Sequence, residues 1–383
     1  MNAAVLDENF DEGPPAPRYN ANLDGQQAAE EILTEGFASG KLAHAWMLTV
    51  PKGIGKATLA YRFARHILAN GAVGNDADSG AASLFGADEL PATSDASPLY
   101  LAPESPIFQR VAAGGHADLM SVERGLNSTG KLRSDIVVGD VRGVNRFLNL
   151  TAGEGGWRVV IVDSADEMNV NAANALLKVL EEPPSRALLL LVCHNPGRML
   201  PTIRSRCRKL RLADLDESTV TELLGRYLPD LDVDTRNQLA ALSEGSIGRA
   251  LELAQADGAE LQRQIMAFMT QMPSLNIPDL QDFGATMSKA DAIPRFETMA
   301  DLLRRCLARL VRHASGADLL GPVNAEEQAL YARLANTARL DRWLQVWDKT
   351  DDLLRRTNRI NLDRKQVILN IFLNISQAAR GDT

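Results

Sequence analysis

The stretch VPKGIGKAT, which begins at Val50, has most of the residues of a loop that binds phosphate. In such a loop, a glycine is followed, after four intervening residues, by Gly-Lys-Ser/Thr. Backbone N–H groups and the lysine hold the phosphates, and the hydroxyl binds Mg²⁺. Gly53, Gly55 and Lys56 are present, but valine replaces the first glycine and Ala57 replaces the hydroxyl residue. The stretch therefore keeps a cradle and a positive charge for phosphate and lacks the metal ligand.

Thr58 does not replace the missing hydroxyl, because a helix turns by about 100° per residue and its side chain points elsewhere. One interpretation is that the loop binds ATP or ADP without hydrolysing it, with Thr58 at the edge of a degenerate site. The other is that the glycines only allow a strand to meet a helix. The sequence leaves both open, and neither requires a cofactor.

A second acidic site follows in VVIVDSADE, where an apolar run ends at Asp163. In P-loop ATPases an Asp at this point orients Mg²⁺, and the next residue is a Glu that activates water. Here the next residue is Ser164, whose hydroxyl does not act as a carboxylate base at neutral pH. We interpret Asp166 and Glu167 as residues that begin the following helix and complement its dipole. The chain is therefore not expected to hydrolyse ATP.

The segments around these residues have the pattern of an α/β protein. HAWMLTV, RVVIV, RALLLLVCHN and CRKLRL are predicted strands, and the first runs directly into the glycine loop. KATLAYRFARHILA is a predicted helix, and AANALLKVLEEPP is a helix that Pro183 ends. Val141, Val144 and Leu148 have the spacing of another helix. This alternation predicts a parallel sheet with helices on both faces.

The remaining segments are predicted to be irregular or helical. Residues 1–17 are expected to form a flexible tail, and a polar, glycine-rich surface insertion is expected near residues 71–110. Beyond Leu215 the pattern is helical, with a linker predicted from Pro273 to Pro294 because it holds three prolines.

Composition excludes several classes of protein. The 383 residues include 41 basic and 49 acidic side chains, a net charge of −8, which argues against a surface that binds nucleic acid everywhere. The three cysteines, Cys193, Cys207 and Cys306, are scattered, so neither a disulfide framework nor a zinc module is expected. The N-terminus lacks the pattern of a secretion signal, and no apolar run is long enough for a bilayer. We expect a soluble, cytoplasmic chain with no membrane partner and no bound metal.

Four motifs in order carry a resemblance: AANALLKVLEEPP, a strand ending in HN, then LPTIRSRC and EGSIGRAL. In this order they resemble the AAA+ ATPases of bacterial clamp loaders, from Arg18 to Leu253. NRINLDRKQVILNIFL resembles that family's last collar helix more weakly. The resemblance implies an α/β AAA+ P-loop core over residues 18–213, a helical lid over 214–265 and an all-α collar domain over 274–383.

The resemblance also implies roles for three residues. Arg206 matches an arginine finger that acts in trans on the ATP of a neighbouring subunit. Asn195 matches a polar sensor of the terminal phosphate, and Arg249 matches a lid arginine that senses nucleotide in cis. The alternative for Arg206 is a basic surface cluster, and the other two residues are also compatible with structural roles.

The resemblance implies a non-hydrolysing subunit that assembles with the gamma/tau motor and delta subunits of DNA polymerase III. The sliding clamp and primer-template DNA would be partners through the complex, in a bacterial, replisome-associated setting. The alternative is an active DNA-dependent ATPase motor subunit, which Ala57 and Ser164 oppose. Many members of the family carry a four-cysteine zinc module, whereas residues 70–135 hold no cysteine, so no thiolate site exists there.

Overall fold

The structure is a computed structural model that describes residues 13–49, 51–71, 97–127, 130–154, 156–318, 324–360 and 362–381. Most of the predicted tail, most of the predicted insertion and Val50 lie outside the described residues. The chain divides into two compact units, and the division falls between Thr219 and Val220. The finer division into lid and collar stays a prediction.

The first unit contains a five-stranded sheet whose order is β2-β3-β4-β1-β5, with every pair of neighbours parallel. Non-consecutive neighbours require crossovers, and helices supply them. The strands are β1 (Ala45–Thr49), β2 (Leu119–Val122), β3 (Arg158–Val162), β4 (Ala187–Cys193) and β5 (Arg208–Arg211).

Among its described residues this unit has six α-helices, and a seventh crosses its boundary. They are α1 (Gln27–Ala38), α2 (Lys56–Asn70), α3 (Pro106–Ala112), α4 (Val138–Asn149), α5 (Val170–Glu181), α6 (Pro201–Arg204) and α7 (Glu217–Tyr227). As predicted, α5 ends before the two prolines and α2 begins at the glycine loop.

The core lies in two layers because side chains alternate between the faces of each strand. On one face, Met47 and Val160 pack with residues of α4 and α5. On the other, Trp46 and Ile161 pack with residues of α1 and α2. The prediction of a parallel sheet covered on both faces is confirmed, and the carboxyl ends of β1, β3 and β4 lie at one edge of the sheet.

The predicted surface insertion is wrong for its last part, residues 97–110. Leu99 is only 1% exposed and belongs to the core layer of α1 and α2. Phe108, in α3, is also buried. The Ser97 hydroxyl accepts a hydrogen bond from buried Arg62. Polar composition was misleading here because a few apolar residues are enough to anchor such a segment.

The second unit is helical throughout its described residues. After α7 its helices are α8 (Val233–Ser243), α9 (Ile247–Gln255), α10 (Gly258–Gln271), α11 (Ile277–Thr286), α12 (Ile293–Ala314), α13 (Ala325–Ala335), α14 (Leu340–Ile360) and α15 (Arg364–Ala379). The predicted linker from Pro273 to Pro294 is wrong, since α11 lies within it. Pro278 and Pro294 occupy the first turns of α11 and α12, where a missing N–H has no cost. None of the described helices combines the length and apolar character needed to cross a membrane.

Candidate functional site

The glycine loop connects β1 to α2, and its two glycines have left-handed backbone conformations. Gly53 has φ 84° and Gly55 has φ 93°, values that disfavour other residues. A Cβ atom on Gly55 would also lie 2.4 Å from Cδ1 of Leu23. The loop therefore has a left-handed backbone conformation at two positions where glycine is strongly favoured.

Lys56 is the first residue of α2, and its side chain is 3% exposed. Its Nζ donates a hydrogen bond of 2.6 Å to the carbonyl oxygen of Pro51, within the same loop. Burial lowers the pKa of Lys56 to about 8, although Cys193, Asp166 and Asp163 act in the opposite direction. The ammonium group stays largely protonated at pH 7 and lies against its own backbone.

The residues after Lys56 give the loop no hydroxyl at the metal position. Ala57 is partly buried, and Thr58 is 7% exposed in the interior of α2. The left-handed glycines and the ammonium group fit a phosphate, which Gly53, Gly55 and Lys56 would hold. The same residues do not fit a phosphate-bound Mg²⁺, because Ala57 occupies the position where a Ser or Thr hydroxyl usually binds the metal.

Asp163 follows β3 directly, and its backbone N–H donates to the carbonyl of Val122 at the end of β2. Burial raises the pKa of Asp163 above its ordinary value. Ser164 is left-handed, with φ 57°, and its Oγ lies 3.2 Å from Nε2 of His194. The residue in the position of a catalytic Glu is thus hydrogen-bonded to an imidazole at the end of β4. Burial, and next the charge of Lys56, lower the pKa of His194.

Asp166 has a role that the sequence did not predict. It lies in the 3₁₀ helix Ala165–Glu167 and is 7% exposed. Its two carboxylate oxygens accept the backbone N–H groups of His194, at 2.8 Å, and Asn195, at 3.0 Å. The carboxylate thus joins the turn after β3 to the end of β4. Glu167 instead pairs with Arg124 at 2.9 Å, and neither acid lies in α5, the helix whose dipole they were expected to complement.

The side chains of Asn195 and Arg249 also bind nearby groups of the protein. The Asn195 Oδ1 accepts the N–H of Gly197 at 3.1 Å and caps the 3₁₀ helix Pro196–Arg198. Arg249 lies in α9 of the second unit and forms ion pairs with Asp301 and Glu244 there. The first unit thus brings Lys56, Asp163 and Asn195 to the same edge of the sheet, and Arg249 belongs to the other unit.

Arg206 lies in the turn between α6 and β5, and 35% of its side chain is exposed. One terminal nitrogen, Nη2, is 2.9 Å from Oε1 of Glu181. The other, Nη1, donates to the carbonyl of Thr202 at 2.9 Å and approaches Oγ of Ser205 at 3.4 Å. The guanidinium group is therefore held at the surface by its own chain.

Known proteins with similar sequences identify the family of this chain. A profile of the family described as DNA polymerase III, delta subunit, matches residues 96–216. The DNA polymerase III subunit delta' of Escherichia coli K12 is 30% identical over 309 residues, which cover 80% of this chain and 80% of that protein. The chain belongs to the delta-prime subunit family of DNA polymerase III. The delta-prime subunit of Pseudomonas aeruginosa is 37% identical over 204 residues, and this match spans only 53% of either chain.

More distant relatives lie among the gamma and tau subunits of DNA polymerase III. The DNA polymerase III subunit tau of Escherichia coli K12 is 24% identical over 262 residues, or 66% of this chain and 36% of that protein. A DNA polymerase III gamma subunit-related protein from Thermotoga maritima aligns at 18% identity with a TM-score of 0.37, covering 93% of this chain and 100% of that one. The resemblance to the clamp-loader family is thus confirmed by the sequence relatives, and the fold described above rests on its own strand order.

The cysteines and the acidic residues do not form a metal site in the part of the chain that the structure describes. No group of three or more His, Cys, Asp or Glu side chains is close enough there to hold an ion. Cys193, Cys207 and Cys306 are buried and unpaired, and burial raises the pKa of the first two to about 12. Their thiols are therefore packing groups at neutral pH.

Proposed function

We propose that this chain is a non-hydrolysing clamp-loader subunit that supplies Arg206 to the ATP site of a neighbouring motor subunit. The observation that carries this proposal is a contrast within one domain. The chain's own site lacks the metal hydroxyl in the glycine loop and the base after β3, whereas the Arg206 side chain lies at the surface, 35% exposed, in the turn before β5. Such a group stabilises the charge that develops on a phosphoryl group during transfer.

Hydrolysis by the chain itself is opposed by three features of the chain. Ala57 provides no ligand for Mg²⁺, and Ser164 provides no carboxylate base. The first acid after Ser164, Asp166, already accepts two backbone N–H groups. An ATP or ADP molecule held by Gly53, Gly55 and Lys56 would therefore remain intact. The negative charge of a bound nucleotide would stabilise the loop, and the nucleotide would not be hydrolysed.

The partners in this proposal are the gamma/tau motor and delta subunits of DNA polymerase III. The sliding clamp and primer-template DNA would be engaged through the assembled complex. Membership of the delta-prime family and the weaker similarity to gamma and tau subunits support this set of partners. The net charge of −8 favours DNA contacts that are local rather than spread over the surface.

The test is ATP turnover by the complex reconstituted from gamma/tau, delta and this chain, with clamp and primed DNA. We expect Arg206→Ala to reduce turnover at the neighbouring site by about 10³-fold, the lower end of the usual effect of an arginine finger. The matched control is Lys209→Ala, which removes an exposed positive charge from the same basic segment. Gel filtration of each complex verifies assembly.

Two results would overturn the proposal. If Arg206→Ala and Lys209→Ala reduce turnover equally, the segment acts as a basic patch and not through one guanidinium group. If the isolated wild-type chain hydrolyses ATP and Lys56→Ala abolishes this, the chain is itself a motor.

A further inference from the structure

Glu181 and Arg206 form an ion pair that links two motifs of the sequence. Glu181 is the last residue of α5, and Arg206 lies 25 residues later, after α6. The distance from Nη2 to Oε1 is 2.9 Å, and Glu181 is half exposed. The second contact, from Nη1 to the carbonyl of Thr202, is also 2.9 Å and comes from α6.

These two contacts fix the direction of the guanidinium group and leave some of its N–H donors available. A guanidinium group has five N–H donors in one plane. The carboxylate and the carbonyl bind its two terminal nitrogens from different elements, so the plane of the group is defined. The donors that remain are able to bind an anion from outside the chain. A long side chain held in this way loses less rotamer entropy when it meets a phosphate.

We propose that Glu181 is the positioning residue of the arginine finger, an inference that rests on the proposed function of Arg206. Its carboxylate holds the guanidinium group in the orientation that the neighbouring subunit's phosphoryl group requires. Positioning before the encounter raises the rate of the chemical step, because a misplaced group loses much of its effect.

The opposite role for Glu181 makes a different prediction. A carboxylate beside the finger also neutralises its charge and competes with phosphate for the same donors. If that competition dominated, Glu181 would restrain Arg206, and its removal would increase turnover. The sign of the effect of Glu181→Ala therefore distinguishes positioning from restraint.

The neighbouring residue provides a matched control. Glu182 is also an exposed glutamate at the end of α5, and no ion pair of its side chain is found among the described residues. Glu182→Ala removes the same charge at nearly the same place without touching Arg206. Glu181→Gln keeps an oxygen acceptor and removes only the charge.

The experiment measures kcat and KM for ATP in the reconstituted complex with clamp and primed DNA. Surface ion pairs are worth little, so we expect Glu181→Ala to lower kcat by about two- to fivefold with KM unchanged. Glu181→Gln should recover part of this loss, and Glu182→Ala should have no effect. In the background of Arg206→Ala, Glu181→Ala should have no further effect, because a positioning residue acts only through the group it holds.

The outcomes separate this inference from the proposed function. If Arg206→Ala lowers turnover but Glu181→Ala matches Glu182→Ala, the positioning role is wrong and the finger stands. An increase in kcat for Glu181→Ala would also overturn it, in favour of restraint. Unchanged turnover for Arg206→Ala would instead contradict the proposed function itself. Equal melting temperatures of the isolated variants show that none of these effects comes from unfolding.

Discussion

The glycine loop and the turn that holds Arg206 differ in where their charged groups point. In the loop, Lys56 is 3% exposed and donates to its own backbone, and the nearby Asp166 is 7% exposed and accepts backbone N–H groups. Arg206 is 35% exposed and is paired with a glutamate that is 50% exposed. The first region buries its charges in contacts of its own, and the second keeps its ion pair at the surface.

This difference determines which measurement is sensitive to each region. A buried carboxylate that accepts two backbone N–H groups contributes several kcal/mol, because its loss leaves buried donors without partners. An exposed ion pair contributes about 0–1 kcal/mol, so stability does not explain the contacts of Arg206. Loop variants should therefore act on the stability of the isolated chain, and variants at Arg206 should act only in the assembly.

The largest effect on stability is expected for Asp166→Ala. The substitution removes the acceptor of two backbone hydrogen bonds, from His194 and Asn195, in a buried turn. With about 1.5–3 kcal/mol for each hydrogen bond to a charged group, we expect a loss of about 3–6 kcal/mol. Urea unfolding of the isolated chain, followed by circular dichroism, measures it.

Glu167→Ala is the matched control for this prediction. Its carboxylate pairs with Arg124 near the surface, and both groups are about one-quarter to one-third exposed. We expect a loss of no more than about 1 kcal/mol. Similar losses for the two variants would mean that Asp166 does not join β3 to β4 as described, and the contrast between the glycine loop and the turn that holds Arg206 would be weaker.

Much of the fold was predictable from local patterns. The apolar runs of β3 and β4, the helical spacing of Val141 and Val144 and the prolines after α5 depend only on neighbours in the sequence, and each was found where predicted. The prolines of α11 and α12 misled because a proline in a first turn has the same appearance as one in a linker.

The partners of the charged residues were not predictable, because they depend on the order of the strands. Asp166 meets His194 only because β3 lies beside β4 in the sheet. Glu181 meets Arg206 only because α5 and α6 lie together. The residue types missing from the loop are evident in the sequence, whereas the contacts of the remaining ones depend on the fold.

The second prediction concerns the pH dependence of stability through Lys56. Its pKa is lowered from 10.5 to about 8, so between these values the unfolded chain binds more protons than the folded chain. Stability from this residue therefore rises as the pH increases from 8 to 10.5, and below pH 8 the full cost of a buried charge is present. At pH 7, Lys56→Met should therefore be about 2–3 kcal/mol more stable than wild type, after allowance for the lost hydrogen bond to Pro51. Near pH 10.5 this gain in stability should be absent.

The control for Lys56 is Lys52→Met, since Lys52 is an exposed lysine of the same loop. Its stability difference from wild type should not change over the same pH range. Urea unfolding at pH 7, 8, 9 and 10 gives both differences. A pH-independent difference for Lys56→Met would mean that the ammonium group is solvated, and that the loop is not turned inward.

The smallest effect is expected for Asn195→Ala, which tests whether this asparagine belongs to the structure or to a nucleotide. The Oδ1 atom caps a short exposed 3₁₀ helix by accepting the N–H of Gly197. Loss of such a cap costs about 0.5–1 kcal/mol, and Asn195→Asp, which keeps the acceptor, should cost less. If Asn195 is structural, any increase in melting temperature caused by ATP should be the same in wild type and in Asn195→Ala. Unchanged stability with a lost response to ATP would instead assign the residue to nucleotide binding, and the charges around the loop would then serve a ligand as well as the fold.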